Sequence, residues 1–198
     1  MVTIRGKLVV GLVLVLFSLT ALAQTAMEPT WVKEGVDWSQ YDKFLVKPLD
    51  IDDVRMVPPP WAENPETWEL NIENLNAVQA IYRDVVKAEL GYPVVYAPAP
   101  GVLELDVEIL SVTPWLRPGS GGTKDGMQVT TMGTGELSAS VEIRDAQTRE
   151  LLLMMASDKS VGEEYKEFTR ANNVANIEKM FKGFANRLRA AMDRVHGK

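Results

Sequence analysis

The sequence predicts an α/β (α+β) domain built as a two-layer sandwich, a mixed or mostly antiparallel sheet of about five strands with two main helices packed on one face. Three observations carry that reading. In residues 135–144, Leu137, Ala139, Val141 and Ile143 alternate with Glu136, Ser138, Ser140, Glu142 and Arg144, the period-2 pattern of a strand with one dry and one wet face. After a turn at Asp145–Thr148 the chain returns through Leu151–Ala156, six apolar residues in a row. Such a run leaves neither face to water and predicts a central place in the sheet. Towards the C-terminus, Val174, Ile177, Phe181, Phe184, Leu188, Ala191 and Val195 recur at alternating spacings of three and four. That is an amphipathic closing helix, with Lys179, Lys182, Arg187, Arg189 and Arg194 on its other side. A three-layer arrangement with the helices on opposite faces is the competing architecture.

The other elements follow in order. Residues 24–40 are polar with two tryptophans and no clear period, and are expected to drape irregularly over a single domain spanning 41–198. Lys43–Leu49 has the composition of a first strand, ended by Pro48, which has no N–H for a ladder. Pro58, Pro59 and Pro60 force an extended polyproline II connection, so Met56–Pro65 is expected to be an exposed linker. A helix starts after the cap residue Asn71, carries Leu75, Val78, Tyr82 and Val85 on one stripe, and stops at Gly91 and Pro93. Pro93–Tyr96 reads as a short strand. From Val102 the alternation returns, with Leu103, Leu105, Val107 and Ile109 inward and Glu104, Asp106 and Glu108 outward. Pro118–Gly126 is a loop holding four glycines, and Asp158–Thr169 is expected to be a charged connection.

The first residues predict the compartment. Arg5 and Lys7 precede an apolar run from Leu8 to Leu19, broken only by Gly11 and Ser18, and Ala21-Leu22-Ala23 offers small residues at a cleavage site. Residues 1–23 therefore read as a secretory signal peptide cleaved after Ala23, giving a periplasmic or secreted protein. An uncleaved anchor is the alternative, but the run is shorter than the ~20 residues a spanning helix needs. Cleavage would remove two basic residues and no acidic one, moving the formal charge from −6 to −8. A field of that sign disfavours non-specific association with nucleic acid or anionic lipid. No cysteine is present, so the core alone must hold the fold, and no lipobox thiol is available for acylation.

The chemistry-bearing residues argue mostly by what they do not assemble. A Ser-His-Asp or Cys-His hydrolase is disfavoured, because the one histidine, His196, lies on a tail expected to fray. Zinc and copper sites lack their ligands, and no cofactor is expected. Asp50, Asp52 and Asp53 do not have EF-hand spacing and read as a solvated turn. Lys124 in the glycine loop is not in Walker order. Glu104, Glu108, Glu136 and Glu142 could supply acid and base for glycan chemistry, but read more simply as the wet rows of a sheet. All five tryptophans lie outside the most regular segments, in stretches that could gather at one end of the sheet, which leaves Trp31, Trp38, Pro58, Pro59, Pro60, Trp61, Trp68 and Trp115 as candidate partner-binding residues. The plainer alternative is that the rings lid the core where loops cross it.

At Tyr92-Pro93-Val94-Val95, Pro100 to Leu105 and Ser140 to Leu152, the chain resembles a family of uncharacterised bacterial envelope proteins, domain of unknown function 3313. Tyr41 to Pro48 is similar to that family's opening strand, and Asp145, Thr148, Glu150 and Leu151 are the most specific part of the likeness. The resemblance implies an exported protein, often described as a lipoprotein, with no established activity or catalytic residue. The chain departs from the family in lacking the lipobox cysteine and in placing Arg149 where related hairpins have glycine, which matters if that position is left-handed. The reading that results is a non-catalytic periplasmic binding or envelope-assembly module with an envelope protein as partner. Its alternatives are a carboxylate enzyme acting on an envelope glycan and a small-ligand carrier.

Overall fold

The computed structural model describes residues 29–116, 123–124 and 127–198; the expected signal peptide and most of the glycine loop lie outside the described residues. The long strands β4 (Val102–Pro114), β8 (Gly135–Asp145) and β9 (Leu151–Val161) form an antiparallel meander. β1 (Pro29–Val32) adds to the outer edge of β9, while β2 (Lys43–Val46) and β3 (Arg55–Met56) lie parallel to β4. The resulting six-stranded sheet has the order β1-β9-β8-β4-β2, with β3 beside the far end of β4. β5 (Thr123–Lys124) pairs with β6 (Met127–Gln128), and β7 (Thr130–Met132) with β10 (Tyr165–Glu167).

β2 and β4 can be parallel because helix α1 (Ile72–Glu89) is the crossover between them. Asn71 caps α1 by accepting the Asn74 N–H at 3.1 Å, and Gly91 follows it at φ 71°. Helix α2 (Arg170–Val195) is capped by Thr169, whose hydroxyl accepts the Asn172 N–H at 3.2 Å. The two helices lie side by side on the sheet, and the rings of Tyr82 and Phe181 meet edge to face at 5.3 Å. Beneath them Phe44, Leu103, Leu105, Ile109 and Val141 are fully buried, the large apolar payload that drives such a layer together. The two-layer sandwich with both helices on one face is thus the observed architecture.

Several local expectations change. Residues 24–40 are not wholly irregular: Pro29–Val32 is a strand, and Trp38–Gln40 a turn of 3-10 helix capped by Asp37. Four residues hold as a strand because β9 supplies the ladder. The apolar strand β9 is one in from the edge, and β8 is the middle strand. Its continuous apolar run has a local cause: a bulge between Arg144 and Ile143 of β8 leaves Leu152 as an extra residue, so Leu152 and Leu153 are both buried. Pro93–Tyr96 makes a single bridge, Phe44 to Val94, and no strand. The stretch expected to be a charged connection contains the end of β9 and all of β10. Met56–Pro65 is anchored too, since Met56 belongs to β3 and Pro59 is buried.

Candidate functional site

The turn of the main hairpin is built around Asp145. Its Oδ1 accepts the N–H groups of Gln147 at 2.9 Å and Thr148 at 2.8 Å, and its Oδ2 accepts the Tyr41 hydroxyl at 2.9 Å. Burial pushes this carboxyl up, but the Thr148 N–H, the Tyr41 hydroxyl and the Gln147 N–H outweigh it and leave its pKa below the ordinary value. Desolvation and the same carboxylate raise Tyr41 to about 12. Arg149 closes the turn at φ 66°, a left-handed position that glycine occupies more cheaply. What the arginine contributes is its side chain, which donates from Nη1 to Glu104 Oε2. Glu104 points away from the helices, as its strand's alternation predicts, yet it has no exposed surface: Leu45 and Arg144 flank it in register and Arg149 pairs with it. The sequence-based view of Glu104 as part of a wet row is corrected accordingly. Its Oε1 is buried without a hydrogen-bond partner among the described residues.

The other carboxylates do not converge on a common point. Glu142 is held by Arg144 at 2.5 Å. Glu108 stands opposite Ser140, and Glu136 opposite Thr113 and Ser160. Among the described residues two like-charged pairs stand across the ladder, Asp50 with Glu108 and Asp106 with Glu142, the latter glutamate being balanced by Arg144. Among the described residues no group of His, Asp and Glu is placed to hold a metal ion, and no helix is long and apolar enough to cross a membrane. His196 does not fray: its Nε2 lies 2.8 Å from the Tyr41 carbonyl oxygen, and its ring packs 5.9 Å from that of Tyr92.

The candidate binding residues separate into distinct places. Trp38 packs on Tyr41, rings 6.3 Å apart, beside the Asp145 turn. Trp31 lies on β1, opposite Met154 and 43% exposed. Trp68 is half-buried after a 3-10 turn at Pro65–Thr67. Trp61 and Trp115 come together, at the end of β4 remote from Asp145, and the five rings do not gather at one end. β4 is 13 residues long, which puts about 40 Å between Trp38 and the Trp61 pair.

That remote end has a clear construction. Trp115 follows the last residue of β4; its backbone N–H donates to the Thr134 carbonyl at 3.1 Å and its indole N–H to the Met132 carbonyl at 2.8 Å. Both bonds fix the ring against the β7–β8 turn. Trp61 arrives along β3: Val57 N–H donates to Val112 O at 2.9 Å, and a turn closed by Ala62 N–H to Pro59 O at 2.9 Å presents the indole. Pro59 is buried, Pro58 half-buried and Pro60 exposed, so the proline run acts as the support of Trp61. The two rings stand 5.4 Å apart, tilted by 38°, and Trp61 keeps 62% of its surface exposed. Met132 and Tyr165, opposed across β7 and β10, are also exposed. Sequence reasoning missed both, because neither sits in a periodic segment; Tyr165 lies in a run of charged residues.

Among solved structures, the chain is similar to a protein of Xanthomonas campestris, XCC0632, at 13% identity and a TM-score of 0.44, covering 85% of this chain and 94% of that one. It is also similar to the PelC dodecamer of Paraburkholderia phytofirmans at 12% identity and a TM-score of 0.38, covering 82% and 95%, and to protein CT253 of Chlamydia trachomatis at 12% and 0.35, covering 80% and 99%. No curated protein matches the chain. The family model described as protein of unknown function DUF3313 matches residues 18–188, and the chain belongs to that family.

Proposed function

We propose that this protein is an exported, non-catalytic binding or envelope-assembly module whose working surface is the end of the sheet bearing Trp61, Trp115, Met132 and Tyr165. The observation that carries the reading is the Trp61–Trp115 pair: one ring is fixed by two hydrogen bonds, and the other stacks on it while remaining 62% exposed. A rigid aromatic platform costs little conformational entropy when a partner settles on it, which is why tryptophan is frequent at the centres of interfaces. The secretory start of the chain supports an envelope setting. The glycan-enzyme alternative gains nothing from Glu104 and Glu142, each of which is tied to an arginine.

The test is site-specific photo-crosslinking in living cells, with a benzophenone residue in place of Trp61, Tyr165 or Tyr96. Tyr96 is 82% exposed and sits beside Lys87 of α1, away from the aromatic end. A discrete crosslinked protein is expected from positions 61 and 165 and none from 96. No adduct at 61 and 165, or the same adduct at all three, would end the proposal.

A further inference from the structure

The helix-facing row of β9 runs Leu153, Met155, Ser157, Lys159 and Val161, because these residues pair with the inward-facing Ile143, Val141, Ala139, Leu137 and Gly135 of β8. The row turns polar at Ser157 and places an ammonium, Lys159, in the layer where α2 passes over the sheet. There the two elements part around a half-open cleft of about 530 Å³, within the size range of small-molecule sites. Lys159, Arg187, Asn176 and Asn186 line it together with the apolar Met132 and Met180.

Gly162 shapes one wall of it, whereas Gly183 leaves room for a methyl group. A Cβ on Gly162, at φ 93°, would fall 2.6 Å from the Asn176 side chain, and one on Gly183 would stand 3.6 Å from Arg187 Nη1. Asn176 is oriented by donating its Nδ2–H to Thr134 Oγ1 at 3.0 Å. The carboxylates nearby are mostly committed elsewhere: Glu164 to Lys166 at 2.8 Å and Lys179 at 3.5 Å, and Glu89 to Lys182 at 2.7 Å. Glu163 also lines the cleft and acts on Lys159 at longer range. Arg187 has no carboxylate partner among the described residues. Asn186 keeps a buried amide oxygen without a hydrogen-bond partner, and turned over, the same amide offers N–H donors.

We propose that this cleft binds a small organic anion, a phosphate- or carboxylate-bearing molecule with an apolar remainder, the charge being held by Lys159 and Arg187 and the remainder lying on Met132 and Met180. The cleft adjoins the crosslinking surface proposed above and shares Met132 with it, but its charged and amide groups lie outside that surface. Desolvation and the Arg187 charge hold the half-buried Lys159 below the usual lysine range, and an anion between the two cations offsets their mutual repulsion. In a chain of net charge −6, a paired cation site of this kind is a local inversion of the field.

The cleft is tested on the mature chain by NMR titration with inorganic phosphate and with n-hexyl phosphate, following the amide signals of Gly162 and Gly183. A second arm measures co-sedimentation with phosphatidylglycerol vesicles, using phosphatidylcholine vesicles as the blank. Saturable shifts at both glycines are expected, with hexyl phosphate the tighter probe. Arg187→Gln and Lys159→Met should each weaken binding at least tenfold, and Lys47→Gln, on the opposite side of the molecule's sheet, should leave it unchanged. Sedimentation with the anionic vesicles alone, abolished by R187Q, would identify a lipid headgroup as the source of the anion, whereas soluble binding without sedimentation would identify a free metabolite. The absence of saturation with either phosphate and with the vesicles, or binding unaltered by both R187Q and K159M, overturns the proposal. A positive crosslink at Trp61 with a silent cleft would sink this inference and leave the aromatic surface standing.

Discussion

The two ends of the sheet are finished in opposite ways. At the end holding Asp145 the polar groups are matched, Glu104 Oε1 excepted: the Asp145 carboxylate takes three donors, Tyr92 donates its hydroxyl to Asp193 at 2.8 Å, Ala146 N–H meets Val102 O at 3.0 Å, and His196 reaches the Tyr41 carbonyl. Lys198 covers the Tyr92 ring at 4.9 Å. At the other end Trp61, Met132 and Tyr165 face solvent, and α2 stands off from Lys159. A protein that needed only to fold would have every reason to seal both ends alike. One end thus ties the C-terminal residues to the sheet, while the other leaves large apolar side chains exposed.

The largest effect that would sharpen this contrast lies at the closed end. Arg149→Ala removes the partner of a carboxylate with no exposed surface, and stranding such a charge costs about 3–5 kcal/mol. The left-handed backbone at Arg149 persists with alanine, so no relief offsets the loss. Urea unfolding of R149A beside the double variant Glu104→Leu/R149A should show most of that loss recovered when the acid goes too. Equal instability in both would mean that the ion pair is not what holds the turn.

A pH measurement comes next. Burial and their carboxylate partners raise Tyr41 and Tyr92 to about 12 in the folded chain, from an ordinary value of 10.0. The uncharged phenols are thus favoured by folding, their contribution is complete below pH 10, and it is lost as the pH rises from 10 towards 12. Absorbance titration should find these two ionising late together with the buried Tyr82, which desolvation also raises, with the melting temperature falling across the same window. If all five tyrosines titrate together near 10 while the fold persists, the closed end is looser than described.

How much of this was legible follows from where the information sits. The alternation in 102–109 and 135–144 announced β4 and β8, and Asn71 and Gly91 bounded α1, because period and cap chemistry are local. The short strands β1 and β10 were not legible, since their hydrogen bonds come from β9 and β7 and their residues carry no period of their own. Glu104 was assigned the correct face, but its burial depends on Arg149, 45 positions away. The meeting of Trp61 with Trp115 depends on the register of Met56 against Val112, a parallel pairing that nothing in the proline run specifies. Lys159 lies in the stretch expected to be a charged connection, and its place in the helix-facing row follows from its pairing across the ladder with Leu137.

The contrast is tested most directly by the melting temperatures of Asp145→Ala and Trp61→Ser measured side by side. Losing the three hydrogen bonds of Asp145 should cost about 3 kcal/mol and lower the midpoint by roughly 6–12 °C. Trp61→Ser, the smallest effect expected, should stay within about 0.5 kcal/mol, as for a surface residue outside the core. A drop for W61S as large as that for D145A would make Trp61 a lid on the core and contradict the account of an end left open for binding.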